Sequence, residues 1–129
     1  MTLQDAANEF NKKTPEEYYN ELFIEALDII GRRAHSNAVE KGFWEVDQNI
    51  GNKVALIHSE LSEFFEGFRK GDEVNDEHCP GFSNQAIELA DIVIRIMDLA
   101  GHLEINLGAA IIAKMSYNKT RPHLHGKRF

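Results

Sequence analysis

The chain carries a single cysteine, Cys79, so no internal disulfide can staple it, and this scarcity fits a reducing cytoplasm. It lacks an apolar run of the ~20 residues that a membrane-spanning helix needs. The first residues, Met1 to Lys13, are polar and have no apolar centre of the kind a secretion signal carries. No Gly-rich phosphate loop, paired-histidine metalloprotease motif or nucleophile elbow is present, which removes three common hydrolase designs. Positive charge is also scarce: 14 Lys and Arg stand against 21 Asp and Glu, a net charge of −7. An acidic body argues against binding a nucleic-acid duplex over a broad face.

What remains is ordinary for a globular protein. The 129 residues are 43% hydrophobic and 27% charged, enough for one compact domain, and small domains often complete their core by oligomerising. The charge is unevenly spread. Lys114 to Phe129 holds five Lys or Arg and no acid, leaving nine against 21 in the rest, a net −12. A basic end on an acidic body can meet a small anion, or it can be a solvated tail.

The hydrophobic pattern predicts an all-α fold of four helices, bundle-like, with no strand. The first begins at Thr14-Pro15-Glu16-Glu17, where Thr14 and Glu17 form a capping box, and runs to about Glu40. After the aromatic connection Lys41-Gly42-Phe43-Trp44, Asp47 is a candidate cap for a second helix ending near Lys70-Gly71. Within it Ile50, Val54, Ile57, Leu61, Phe64 and Phe68 form a core stripe. Ser83 caps a third helix reaching about Ala100, and a fourth runs from about Ile105 to Thr120, stopped by Arg121-Pro122. The domain reading is a polar segment over 1–13, a helical catalytic domain over 14–121 and a basic tail over 122–129.

Four carboxylates stand out. Glu60 and Glu63 share a helix face, and Glu60 falls at the edge of the apolar arc, where a carboxylate is costly unless paired or bound to metal. The third helix is apolar over most of its circumference, which predicts burial, and its charged residues Glu88, Asp91, Arg95 and Asp98 lie on one thin stripe. Arg95 lies between Asp91 and Asp98 at helical spacing and reads as their ion-pair partner. At ~1.5 Å per residue the two carboxylate pairs lie roughly 13 Å and 11 Å from the connecting loop, so antiparallel packing brings them level. Such a group needs a cation, and all-oxygen donors favour Mg²⁺, with Mn²⁺ as the alternative. A di-iron bundle needs Glu-x-x-His pairs, and neither pair here has the histidine.

These residues resemble the MazG-like, all-α nucleoside triphosphate pyrophosphohydrolases, a superfamily that also includes all-α dUTPases and dCTP pyrophosphatases. The resemblance runs from about Ala34 to Phe129. It rests on Glu60-Leu-Ser-Glu63, then Glu88-Leu-Ala-Asp91, then Lys114-Met-Ser-Tyr-Asn118-Lys-Thr-Arg121-Pro122, ending in His125-Gly126-Lys127. One position departs: where the family commonly has a glutamate before the first pair, this chain has Ser59. The resemblance implies a MazG-type fold, cleavage of a (d)NTP between the α and β phosphates to (d)NMP and pyrophosphate, and a homodimer or homotetramer with no membrane or duplex partner. It implies metal at Glu60, Glu63, Glu88 and Asp91, with Glu60 or Glu63 doubling as general base.

Lys114, Asn118 and Arg121 recur on one face of the last helix and are candidate phosphate and sugar contacts, with Lys127 a further one. Trp44, His35 and His58 could surround a base; for Trp44 ordinary packing competes evenly with stacking. The competing function is a non-catalytic helical module binding nucleotide or protein.

Overall fold

The computed structural model describes residues 1–46, 48–71 and 75–129, without the side chain of Phe10. Five α-helices follow one another: α1 (Leu3–Phe10), α2 (Pro15–Glu40), α3 (Ile50–Lys70), α4 (Asn84–His102) and α5 (Leu107–Lys119), then a 3-10 turn at His123–Gly126. There is no strand among the described residues, only an isolated bridge between Asn75 and Ser83. No single helix among them is long and apolar enough to cross a membrane.

The helix starts are set by side chains that satisfy orphan backbone donors. Thr14 and Glu17 form the expected reciprocal box at α2: Glu17 accepts from the Thr14 backbone N–H at 2.8 Å, and Thr14 Oγ1 accepts from that of Glu17 at 3.2 Å. The Thr14 N–H, and then the Thr14 hydroxyl that donates to the same oxygen at 3.1 Å, hold the exposed Glu17 carboxyl below its ordinary pKa. Ser83 caps α4 through Ala86, also as expected. At α3 the cap is Asn49, whose Oδ1 accepts from Asn52; the expected cap, Asp47, lies outside the described residues. Asn106 caps α5, two residues later than the predicted start.

The polar segment over 1–13 contains a helix that patterning did not reveal. Thr2 and Asp5 make a second capping box there, with Asp5 accepting from the Thr2 N–H at 2.9 Å and donating its own N–H back to Thr2 Oγ1 at 3.1 Å. A local box of this kind can start a helix without an apolar stripe long enough to be recognised.

The chain divides into two compact units. One comprises Met1–Ile29 and Asn106–Phe129, the other Ile30–Ile105. In the first, the buried Gly108 of α5 lies against α2: a Cβ there would sit 3.0 Å from Ile24 Cα. In the second, α3 packs on α4, and the C-terminal half of α2 lies on α4, where a Cβ on Gly101 would meet His35 Cβ at 2.9 Å. Glycine at 101 is what permits that approach, and it sits inside α4 rather than beyond its end.

The apolar core is small. Trp44, Ile92, Met97 and Ala100 are its buried members. The expected core stripe of α3 packs inward only in part: Ile57 and Phe64 are half-buried, Ile50, Val54, Leu61 and Phe68 are exposed, and the fully buried residues of that helix are Lys53 and Glu60. The near-complete burial expected for α4 is likewise not realised within one chain, because Leu89, Val93, Ile94 and Ile96 remain exposed. Helix α4 has α2 and α3 against two of its faces, which leaves part of a nearly all-apolar circumference uncovered.

Candidate functional site

Helices α3 and α4 place three carboxylates together. Glu60, Glu88 and Asp91 each offer an oxygen within 4.8 Å of the others. Glu60 is buried, and Glu88 and Asp91 are half-buried. The pairing is antiparallel: Glu60 on α3 meets Arg95 on α4, whereas Glu63, further along α3, exerts its charge on Glu88, earlier along α4. Glu63 itself is exposed and stands outside the three-oxygen group.

The electrostatics are those of a crowded acidic site. Burial is the first cause that pushes the Glu88 carboxyl above its ordinary pKa, followed by the charges of Glu63, Glu60, Asp91 and Asp76. Asp91 is also raised, first by burial and then by Glu60, against a lowering influence from Arg95. Asp76 was not anticipated as a neighbour. It lies in the loop before α4, whose turn it closes by accepting backbone N–H bonds from His78 and Cys79 at 2.9 and 2.8 Å.

The donor set fits a hard divalent cation. An ion with ligand distances of ~2.1 Å for Mg²⁺, or ~2.4 Å for Ca²⁺, spans oxygens up to roughly 4.2–4.8 Å apart. The three oxygens lie within 4.8 Å of one another, the limit for the larger ion, and a small side-chain adjustment would bring them to the Mg²⁺ distance; no sulfur or imidazole belongs to the group.

Arg95 does not pair within its own helix. Its Nε donates to Glu60 Oε1 at 2.7 Å, and Nη2 lies 2.7 Å from the same oxygen. This corrects the expectation that Asp91 and Asp98 would be its partners: spacing along one helix cannot reveal a partner on the next. A cavity of about 320 Å³ opens beside the pair. The α2 wall contributes Ala34, Asn37 and Ala38, the α3 wall Lys53, Leu56 and Glu60, and the α4 wall Asp91, Ile94, Arg95, Asp98 and Leu99, with Lys41 and Phe43 from the connection after α2. It therefore has acidic groups, basic groups and an apolar lining, and Asn37, Lys41 and Lys53 are lining residues that sequence patterning passed over.

At one side of this unit, Asp98 gathers an aromatic cluster. Its Oδ1 accepts from Trp44 Nε1 at 2.9 Å and lies 2.7 Å from His35 Nδ1. The Trp44 ring stacks on His102 with centroids 3.9 Å apart and 13° between planes. The Lys53 ammonium lies over the same ring, 4.3 Å from its centroid, while donating to the Phe43 carbonyl. A stacked imidazole leaves no room for an ammonium on its own side, so the two groups cover opposite faces. Trp44 is thus a packed, doubly covered ring, and His35 is held through Nδ1; this arrangement favours packing over base stacking for Trp44. His58 is exposed.

The remaining candidates belong to the other unit. Lys114 and Arg121 both lie over the Tyr117 ring, at 4.7 and 5.7 Å from its centroid. Asn118 shares α5 with Lys114 and has a buried Oδ1 with no hydrogen-bond partner, whereas Arg121, expected on the same helix face, lies past the helix end, which is capped at Thr120. Lys127 is exposed, beyond a turn in which Leu124 and His125 both adopt positive φ.

Compared with known protein families, curated proteins and solved structures, the chain shows no match.

Proposed function

We propose that this chain is a Mg²⁺-dependent nucleotide pyrophosphohydrolase that cleaves a (d)NTP to (d)NMP and pyrophosphate. The observation that carries the reading is the convergence of Glu60, Glu88 and Asp91 across two helices, with oxygens close enough to share one ion. These are three of the four carboxylates in the motifs that resemble the MazG-like enzymes, and the cavity beside them is lined by both acidic and basic groups.

In this reading Glu60, Glu88 and Asp91 hold the divalent cation. When bound, the cation supplies a Lewis acid that neutralises phosphate charge and lowers the pKa of a water. Glu63 is assigned the general base, because it is exposed beside the group and not part of it. It takes a proton from the water that attacks phosphorus in line, and pyrophosphate departs. The resemblance assigns Lys114, Asn118 and Arg121 to phosphate and sugar contacts, with Lys114 and Arg121 supplying the positive charge.

The exposed apolar residues of α3 and α4 support a homodimer or homotetramer, since an apolar surface of that size on a small domain asks for a cover. A MazG-type fold and a cytoplasmic setting belong to the same reading. The alternative, a non-catalytic nucleotide- or protein-binding module, draws on Ser59 in place of the family glutamate. Incubation with a panel of ribo- and deoxynucleoside triphosphates, with and without Mg²⁺, separates the two. Pyrophosphate release that requires Mg²⁺ supports the enzyme, and no release from any triphosphate supports the module.

A further inference from the structure

Glu60 is the most buried member of the carboxylate group, and it is already engaged. Arg95 Nε and Nη2 each lie 2.7 Å from one oxygen, Oε1. The strongest guanidinium–carboxylate pairing is fork on fork and uses both oxygens. The Arg95 contact crowds one oxygen instead, and its side chain keeps 32% of its exposure, on the wall of the cavity. A divalent cation carries twice the charge of a guanidinium and approaches a carboxylate oxygen to ~2.1 Å, so it outcompetes such a contact.

We propose that Arg95 is a parked substrate ligand: it neutralises Glu60 in the metal-free protein, and metal loading releases its guanidinium into the cavity to bind phosphate. This rests on the metal-dependent reading above and adds to it a coupling between metal and triphosphate. The released guanidinium has Asp91 and Asp98 as neighbours on its own helix, one turn to either side, and Lys41 and Lys53 on the facing walls. In the structure its ion-pair partner is Glu60 rather than either of these acids. Once Asp91 is engaged in holding the cation, an incoming polyphosphate is the anion best placed to take Arg95, through charge-assisted bonds that a guanidinium forms well.

The test uses the full chain and two probes, Mn²⁺ alone and inorganic tripolyphosphate. Titration of metal-free protein with Mn²⁺, followed by electron paramagnetic resonance, should show Arg95→Met binding Mn²⁺ about tenfold more tightly than wild type, as expected for loss of a competing ion pair. Tripolyphosphate added to Mg²⁺-loaded protein should bind Arg95→Met about tenfold more weakly, with Arg95→Lys recovering part of the loss. Weaker Mn²⁺ binding by Arg95→Met overturns the proposal, since Arg95 would then be orienting Glu60 as a ligand. Unchanged tripolyphosphate affinity overturns it as well. Should Arg95→Met fail to fold, wild-type protein labelled with ¹⁵N-arginine decides: the Arg95 Nε–H resonance, identified by its absence in Arg95→Lys, should move on saturation with Mg²⁺. A resonance that stays in place while Mn²⁺ binds defeats the release of Arg95 and leaves the metal site standing. Wild-type protein that binds no Mn²⁺ defeats both.

Discussion

Replacing Asp98 by alanine removes one oxygen that two N–H groups share. Trp44 Nε1 donates to it at 2.9 Å and His35 Nδ1 lies 2.7 Å away. Trp44 is buried, with His102 and Lys53 over its two faces, so water cannot take the place of the lost acceptor. A buried donor left unpaired costs about 1–3 kcal/mol. His35 retains 26% side-chain exposure and is partly rehydrated, so its share lies at the low end of the ~1.5–3 kcal/mol typical of a bond to a charged acceptor. The sum is about 2.5–4.5 kcal/mol, and for a domain of this size that lowers the melting temperature by roughly 9–17 °C. Urea unfolding followed by circular dichroism measures it, with the fluorescence of the single tryptophan as a second probe. Asp98→Asn keeps an oxygen acceptor and should lose less than half as much. A change in Asp98→Ala below ~0.5 kcal/mol, the scale of an ordinary surface substitution, would refute the assignment of Asp98 as the residue that organises this cluster.

Three other outcomes follow from the same geometry. Glu88 and Asp91 have pKa values raised by burial and by neighbouring acids, so the folded state holds their protons more tightly than the unfolded chain does. Their contribution is therefore fully present below about pH 4 and is lost as pH rises through their elevated values; unfolding measured from acid to neutral pH should show this decline, and added Mg²⁺ should offset it at neutral pH. Gly101→Ala should destabilise by about 1–3 kcal/mol, because its Cβ meets His35 Cβ at 2.9 Å, whereas Gly67→Ala, in α3 with nothing within 4 Å, should stabilise by about 0.5–1 kcal/mol; thermal unfolding distinguishes them. Lys114→Ala should raise the Michaelis constant for a triphosphate by about tenfold or more, the worth of one charge-assisted contact, and steady-state kinetics would show an unchanged constant if Lys114 makes no such contact.

Local chemistry was legible in the sequence, and contacts between helices were less so. The Thr14 and Ser83 caps follow from residue type and spacing, because the groups they satisfy lie three residues away. Glu60 could be brought level with Glu88 and Asp91 because distance along a helix is a fixed rise per residue and the connecting loop sets the origin. The same reasoning brings Glu63 level with them, and its charge does reach Glu88 across the helix pair, but its oxygens stand outside the three-oxygen group: a shared face does not fix where an exposed side chain ends. Arg95 was assigned to its own helix since spacing carries no information about the next one. The Trp44–Asp98–His35 cluster joins residues far apart in the chain, and no periodicity points to it. The apolar periodicity of α3 is legible in the sequence, but hydrophobicity specifies only that a face wants cover, not that the same chain supplies it. Within one chain Val54, Leu61 and Phe68 remain exposed.

In the proposed function Glu60, Glu88 and Asp91 hold a divalent cation for cleavage between the α and β phosphates. ³¹P nuclear magnetic resonance of a deoxynucleoside triphosphate incubated with the protein and Mg²⁺ tests it most directly, with Asp91→Asn run beside wild type. The account predicts growing monophosphate and pyrophosphate signals with wild-type protein, abolished by chelation of Mg²⁺ and reduced at least a hundredfold in Asp91→Asn, an estimate of about 2.7 kcal/mol of lost transition-state stabilisation. Diphosphate and orthophosphate signals, or undiminished turnover in Asp91→Asn, would contradict it.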